Sequence, residues 1–303
     1  MQDRAFRLAA GLVIFLVVAW GGISLWRRTN PPAGTVDIPH LHGLGFSADG
    51  EQLIVPAHDG LRIYTNGGWQ ESDVPAHDYM GYSPADTGFY SSGHPAPGSG
   101  LVNPLGLVKS ADGGRTLTRL GLEGESDFHL MGVGYFSHAI YVFNPATNAR
   151  LPVGMSVTLD DGQTWQLCAL NGVTANPYQI AVHPTEAGVV ALATEGGLFL
   201  STDFGNTFTL VSPPELVTAA AFTPDGTSLM FGGTQLKAYD LASKQITIHT
   251  IPPLDDEEAL TNLAINPQTL DEIALATSRI DIYLSSDSGQ TWRQIASNGT
   301  GLP

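Results

Sequence analysis

The chain has 303 residues, with Gly 35, Pro 20, 43% hydrophobic residues and only 14% charged residues. Glycine and proline at that level break helices, while the apolar share is ample for a core, so disorder, a coiled coil and a mainly helical bundle are excluded. Twenty-nine acidic residues outnumber 13 basic ones, and four of the basic ones (Arg4, Arg7, Arg27, Arg28) lie in the first 28 positions; so acidic a remainder repels phosphate backbones, which excludes nucleic acid and favours cations.

In chain order, residues 5–26 (AFRLAAGLVIFLVVAWGGISLW) come first and carry one charge, Arg7. Roughly 19 apolar or small residues follow it, about what crosses a bilayer. This predicts a membrane anchor within residues 1–28, through which the protein meets the membrane, with the remainder extracytoplasmic. A cleaved signal peptide is the alternative, with Arg4 and Arg7 as its charged start, and it would make the protein secreted. Residues 29–34 (TNPPAG) read as a polar tether. The lone Cys168 excludes an internal disulfide and a cysteine-based zinc site.

From residue 35 onward a turn motif, S/T-x-D-x-G-x-T followed by an aromatic residue or Leu, occurs four times: Ser110–Leu117, Thr158–Trp165, Ser201–Phe208 and Ser285–Trp292. Its aspartates, Asp112, Asp160, Asp203 and Asp287, are 48, 43 and 84 residues apart, the last gap being two periods of 42 with one copy lost. The chemistry is that of a strand–turn–strand unit. The carboxylate accepts backbone N–H groups, the glycine takes a positive φ, and the last side chain packs between sheets.

Between these turns lie paired apolar strands, 41–47 with 52–57, 79–84 with 88–93, 130–136 with 139–144, 178–184 with 189–194, 218–224 with 228–233, and 261–267 with 272–277. Six units of about 45 residues predict an all-β fold, a six-bladed β-propeller over 35–303 with four strands per blade; seven or eight blades are excluded by length. Residues 35–38 (TVDI) are expected to join the last blade and close the ring.

Blade geometry sorts the nine histidines. His40, His42, His77 and His129 fall at the starts of innermost strands, and His58 and His94 at the ends of second strands, so all six belong to one face. His138 and His183 fall on the other face, and His249 ends an outer strand. Aligned inner strands bring His40, His42, Asp78, His129 and Met131 to the mouth of the central channel, with His58, His77 and His94 reaching it from loops and Met80, Asp127 and Asp59 nearby. Imidazole, carboxylate and thioether groups together point to a transition metal, copper first and zinc second, at His40, His42, His58, His77, Asp78, His94, His129 and Met131. Carboxylates on the same face, above all Asp78 and Asp127, with Asp59, Glu125 and Glu195, also suit a catalytic pair for glycoside cleavage. A third reading makes the histidines hydrogen-bonding spacers that fill a polar channel.

The repeated turn resembles the Asp box, or BNR repeat, of sialidases, sortilin-type receptors and photosystem assembly factors. The segments HLHGLGFSADG, HDGL, MGYS, SGHPAPGSGLVNPLGLVKSADGG and GESDFHLMGV are similar to a bacterial family labelled BNR-repeat glycosylhydrolase. The resemblance implies a propeller whose box aspartates are structural locks remote from any active site. It also implies either a glycan ligand or, by likeness to the assembly factors, a protein partner held on the same face as a scaffold. A sialidase site requires three arginines on inner strands; Arg62, Arg115, Arg119, Arg150, Arg279 and Arg293 are not so placed, which argues against that activity. No organic cofactor motif is present.

Overall fold

The computed structural model describes residues 35–303 apart from Asn66. The expected membrane anchor and tether, residues 1–34, lie outside the described residues. Among the described residues no helix is long and apolar enough to cross a membrane, and every regular element is a β-strand.

Six antiparallel sheets follow one another along the chain, five of four strands and a last one of five. Their innermost strands are Gly45–Phe46, Asp78–Ala85, Met131–Val133, Pro177–Val182, Ala219–Phe222 and Leu260–Ile265. The sheets are the blades of the predicted propeller. The first inner strand is shorter than the sequence pattern suggests. In its register Pro56 stands opposite Gly43, and a proline has no N–H to return to the ladder. Only the His42 N–H donates across, to the Pro56 carbonyl at 3.0 Å, so the segment before Gly45 leaves the ladder, with Leu41 and Leu44 packed on the closing seam and His42 turned to His58.

The ring closes as residues 35–38 suggest. Asp37 pairs with Thr300, Ile38 N–H donates to the Gly299 carbonyl at 2.7 Å, and Gly301 N–H donates to the Val36 carbonyl at 2.8 Å. The buried Arg62 of the first blade then binds the Asp37 carbonyl at 2.7 Å and Asp59 Oδ1 at 2.8 Å. The start of the propeller is thereby fixed to both the last blade and the first.

Six apolar clusters hold the blades together, one at each seam. The residue after each outer hairpin takes part in one: Trp69, Leu117, Trp165, Phe208, Ile246 and Trp292 pack into seams in the order of their blades. Trp69 and Ile246 occupy this position where the turn motif is missing. Trp69 also donates its indole N–H to the Ile295 carbonyl of the last blade at 2.6 Å.

The four motif turns share one hydrogen-bond pattern. In the Thr158–Trp165 copy, Thr158 Oγ1 donates to Asp160 Oδ1 at 2.8 Å, and Thr164 gives its N–H to Oδ1 at 2.8 Å and its hydroxyl to Oδ2 at 2.6 Å. The Gly162 N–H donates to Thr158 Oγ1 at 3.0 Å. The glycine has φ +81°, and the residue before it, Asp161, has φ +55°. A left-handed residue with a side chain costs about 1–2 kcal/mol, so the carboxylate's bonds hold a backbone that glycine alone would leave loose. Hydrogen bonds from the motif threonine, with those from the motif's first hydroxyl, push Asp112, Asp160 and Asp287 down to about 2.

Two outcomes follow. An acid whose pKa is lower folded than unfolded contributes stability that is complete above the ordinary carboxylate range and is lost as pH falls through the folded value. Asp160→Asn should therefore be less stable at neutral pH and lose less stability than the parent between about pH 4 and 2; equal pH slopes in urea titrations of the two proteins would refute the assignment. Trp69→Ala should cost about 3–5 kcal/mol by chemical denaturation, and a loss below about 1 kcal/mol would show that the tryptophan does not anchor the closing seam.

Candidate metal centre

The inner strands of all six blades surround a central cavity of about 140 Å³. Leu44, Phe46, Val133, Ile180, Phe222 and Leu263 are among its lining residues together with Ser83 and Gln179, and none of the histidines lines it. The channel-filling reading of the histidines is thereby corrected. They stand outside the cavity because the first-blade segment leaves its ladder before Gly45, and because His58 and His94 sit where second strands end.

His40, His42 and His58 have ring nitrogens within 4.8 Å of one another. Their ring centroids are 4.4–4.6 Å apart. His40 and His42 come from the segment leading into the first blade, and His58 from the tight turn between that blade's second and third strands. Asp78 opens the inner strand of the second blade opposite His94. Its Oδ2 lies 2.9 Å from His58 Nδ1 and its Oδ1 3.3 Å from His42 Nε2. His42 Nε2 is in turn 3.0 Å from His58 Nδ1. Only one proton fits between those two nitrogens, and Asp78, 15% exposed, keeps Oδ1 buried without a hydrogen bond.

Burial, followed by the charges of His40, His58, His129 and His94, pushes His42 down to about 3. His40 is an exposed residue, yet partial burial and then His58 lower its pKa, against an opposing pull from Asp78. At neutral pH both imidazoles are therefore uncharged and offer lone pairs, the form in which histidine binds a metal.

A second group lies beside the first. Asp127 Oδ2 is 3.2 Å from His94 Nε2 and 3.5 Å from His129 Nδ1. His94 Nδ1 is 2.7 Å from Asn103 Oδ1, a contact the sequence reading lacked: Asn103 lies in a long loop with no periodicity, and only the folded loop brings it back to His94. Asp127 is 18% exposed and its Oδ1 is buried without a partner.

The other expected donors are placed elsewhere. His77 is buried, accepts the Ala96 N–H on Nδ1 at 2.8 Å, and packs edge-on against Tyr79, so it holds the loop after the second strand. Met131 lies in the apolar seam between the second and third blades and lines the cavity. A thioether gains more from that apolar packing than from a wet mouth. Met80 is also buried. Asp59 pairs with Arg62, and Glu125 accepts the Ala149 N–H at 2.8 Å. On the opposite face His138 Nε2 lies 2.6 Å from Asp86, and His183 packs against Phe222. The donor set gathered here is thus imidazole and carboxylate, from the first three blades.

Solved structures share this architecture. A GH74 enzyme from Niastella koreensis superposes with a TM-score of 0.55 at 16% identity, over 86% of this chain and 47% of the other. The GH74 xyloglucanase from Xanthomonas campestris gives 0.53 at 15% identity, over 87% and 47%. YCF48 bound to D1 peptide gives 0.49 at 17% identity, over 88% and 85%. The chain spans about half the length of these two GH74 enzymes. No protein-family profile matches it, and no curated protein sequence does. At these identities the likeness is one of fold: the chain is a six-bladed β-propeller, similar in architecture to the propellers of GH74 enzymes.

Proposed function

We propose that this protein is a membrane-anchored, extracytoplasmic propeller that binds a divalent transition metal ion, zinc or copper(II), at His40, His42 and His58 with Asp78. One observation carries the reading. His42 Nε2, His58 Nδ1 and the Asp78 carboxylate stand 2.9–3.3 Å from one another, while Asp78 Oδ1 is buried with no hydrogen bond. Ligand atoms at a tetrahedral ion with bonds of about 2.0–2.1 Å are separated by about 3.3–3.4 Å. The polar atoms thus already lie near the spacing of a coordination shell, with too few protons to satisfy them by themselves.

Nitrogen and oxygen donors suit zinc or copper(II) better than copper(I), which takes softer sulfur ligands. Three imidazoles and a carboxylate supply the four donors of a tetrahedral shell. An anchor at residues 5–26, as the sequence suggests, fits a site held outside the cytoplasm, and the acidic composition favours cations there. The glycoside-cleavage reading assigns Asp78 and Asp127 as acid and nucleophile or base; each of them, however, stands between two imidazoles, an arrangement that metal binding uses directly.

Titration of the purified full-length chain with zinc and with copper(II), in competition with a chelator, tests the reading. The expected result is a dissociation constant in the micromolar range or tighter. His58→Ala, at an exposed ring, and Asp78→Asn should each weaken binding about 100-fold or more with the circular dichroism spectrum unchanged. Binding weaker than micromolar for both metals, or affinity indifferent to both substitutions, would sink it.

A further inference from the structure

We infer that the same face holds a second cation position, beside the first, on Asp127 and His94 and completed by His129. The inference rests on the metal-binding reading above and extends it from one ion to two.

Three observations carry it. Asp127 repeats the state of Asp78: a largely enclosed carboxylate with two imidazoles on it and one buried oxygen, Oδ1, without a hydrogen bond. A buried acceptor left unpaired is unfavourable, more so when it is charged, and two such carboxylates on one face are unusual unless something else satisfies them. Second, Asp127 Oδ2 lies 3.2 Å from His94 Nε2 and 3.5 Å from His129 Nδ1, two edges close to the value of about 3.3–3.4 Å in a tetrahedral shell at bonds of about 2.0–2.1 Å; the three residues are not gathered into a compact triad as His40, His42 and His58 are, so His129 must turn to complete the shell.

Third, Asn103 orients His94. With Asn103 Oδ1 at 2.7 Å from Nδ1, the ring is held so that Nε2 faces Asp127 Oδ2 at 3.2 Å, and a cation placed there would be gripped by both atoms. An acceptor on the far nitrogen of a metal-bound histidine also fixes its ring and makes the bound nitrogen more basic, so Asn103 acts as a positioning residue. The His129 side chain is 65% exposed and has room to turn onto the ion.

The ligands expected are the same class as at the first site, a divalent ion favouring nitrogen and oxygen donors.

Zinc bound per chain, measured by elemental analysis of the full-length protein after equilibration with a micromolar zinc buffer, decides the matter. The expected result is two zinc ions in the parent, one in Asp127→Asn, one in His129→Ala and one in His58→Ala. His129→Ala alters only an exposed ring, so it keeps the test valid if Asp127→Asn fails to fold. Two ions in the parent and in both Asp127→Asn and His129→Ala would overturn the second position, as would one ion in the parent that both variants retain. One ion in the parent, lost in His58→Ala, would overturn this inference while leaving the first reading standing. No bound zinc in any of the proteins would remove both. Asn103→Asp should preserve the stoichiometry of two while changing the affinity of the second ion alone; an unchanged second affinity would remove Asn103 from the positioning role.

Discussion

The seam between blades is the contact on which the rest depends. A four-stranded blade is too small to bury both of its faces alone, and its stability comes from the neighbours on either side. Each blade meets that need with one large side chain just after its outer hairpin. Trp69, Leu117, Trp165, Phe208, Ile246 and Trp292 each enter a seam cluster. The motif turns are the means by which four of these side chains are aimed. A left-handed pair such as Asp161–Gly162 reverses the strand tightly, and the carboxylate of Asp160 holds both ends of the reversal. The first and fifth blades reach the same packing without the full motif, the fifth with Asp240 Oδ1 accepting the Ser243 N–H at 2.7 Å, which makes the seam residue, more than the motif, the constant of the architecture.

Ring closure ties this packing to the site. The segment that pairs with Gly299–Gly301 and is gripped by Arg62 runs within a few residues into His40 and His42. Those rings are therefore set by the last and first blades together, while His58 and Asp78 are set by the first and second. Donors from separate, rigid elements converge with little freedom left to lose. That is the condition for a site that binds without reorganising. The electrostatic consequence is visible at His42, where burial and four neighbouring histidines oppose its protonation.

How far the site could be read in advance differed from residue to residue. Period-two alternation and the order of loops sufficed to put His40, His42, His58, His94 and His129 on one face, because a propeller sends alternate connections to opposite faces whatever their composition. The same logic placed His77 with them, and there it reached its limit. Alternation fixes the face but not the direction of a ring whose nitrogen finds a backbone N–H first, as His77 does at Ala96. Met131 stands at the mouth by position, but its side chain follows the apolar seam. Asn103 carried no signal at all, since its contact with His94 exists only through the path of the loop. The lining of the channel also escaped the sequence, since it comes from six strands that are far apart in the chain.

The repeat, the number of blades, the strand pairs and the face that collects the histidines were legible in the order of residues alone. These rest on local chemistry and short periods: turn residues at fixed offsets and apolar alternation within single hairpins. Which imidazoles meet which carboxylate, that two aspartates keep a buried unpaired oxygen, and that the thioether stays in the core emerge once the blades are packed. Those outcomes depend on distances of a few tenths of an ångström between blades. Such distances are set by how whole seams pack against one another and are encoded in no single stretch of the chain.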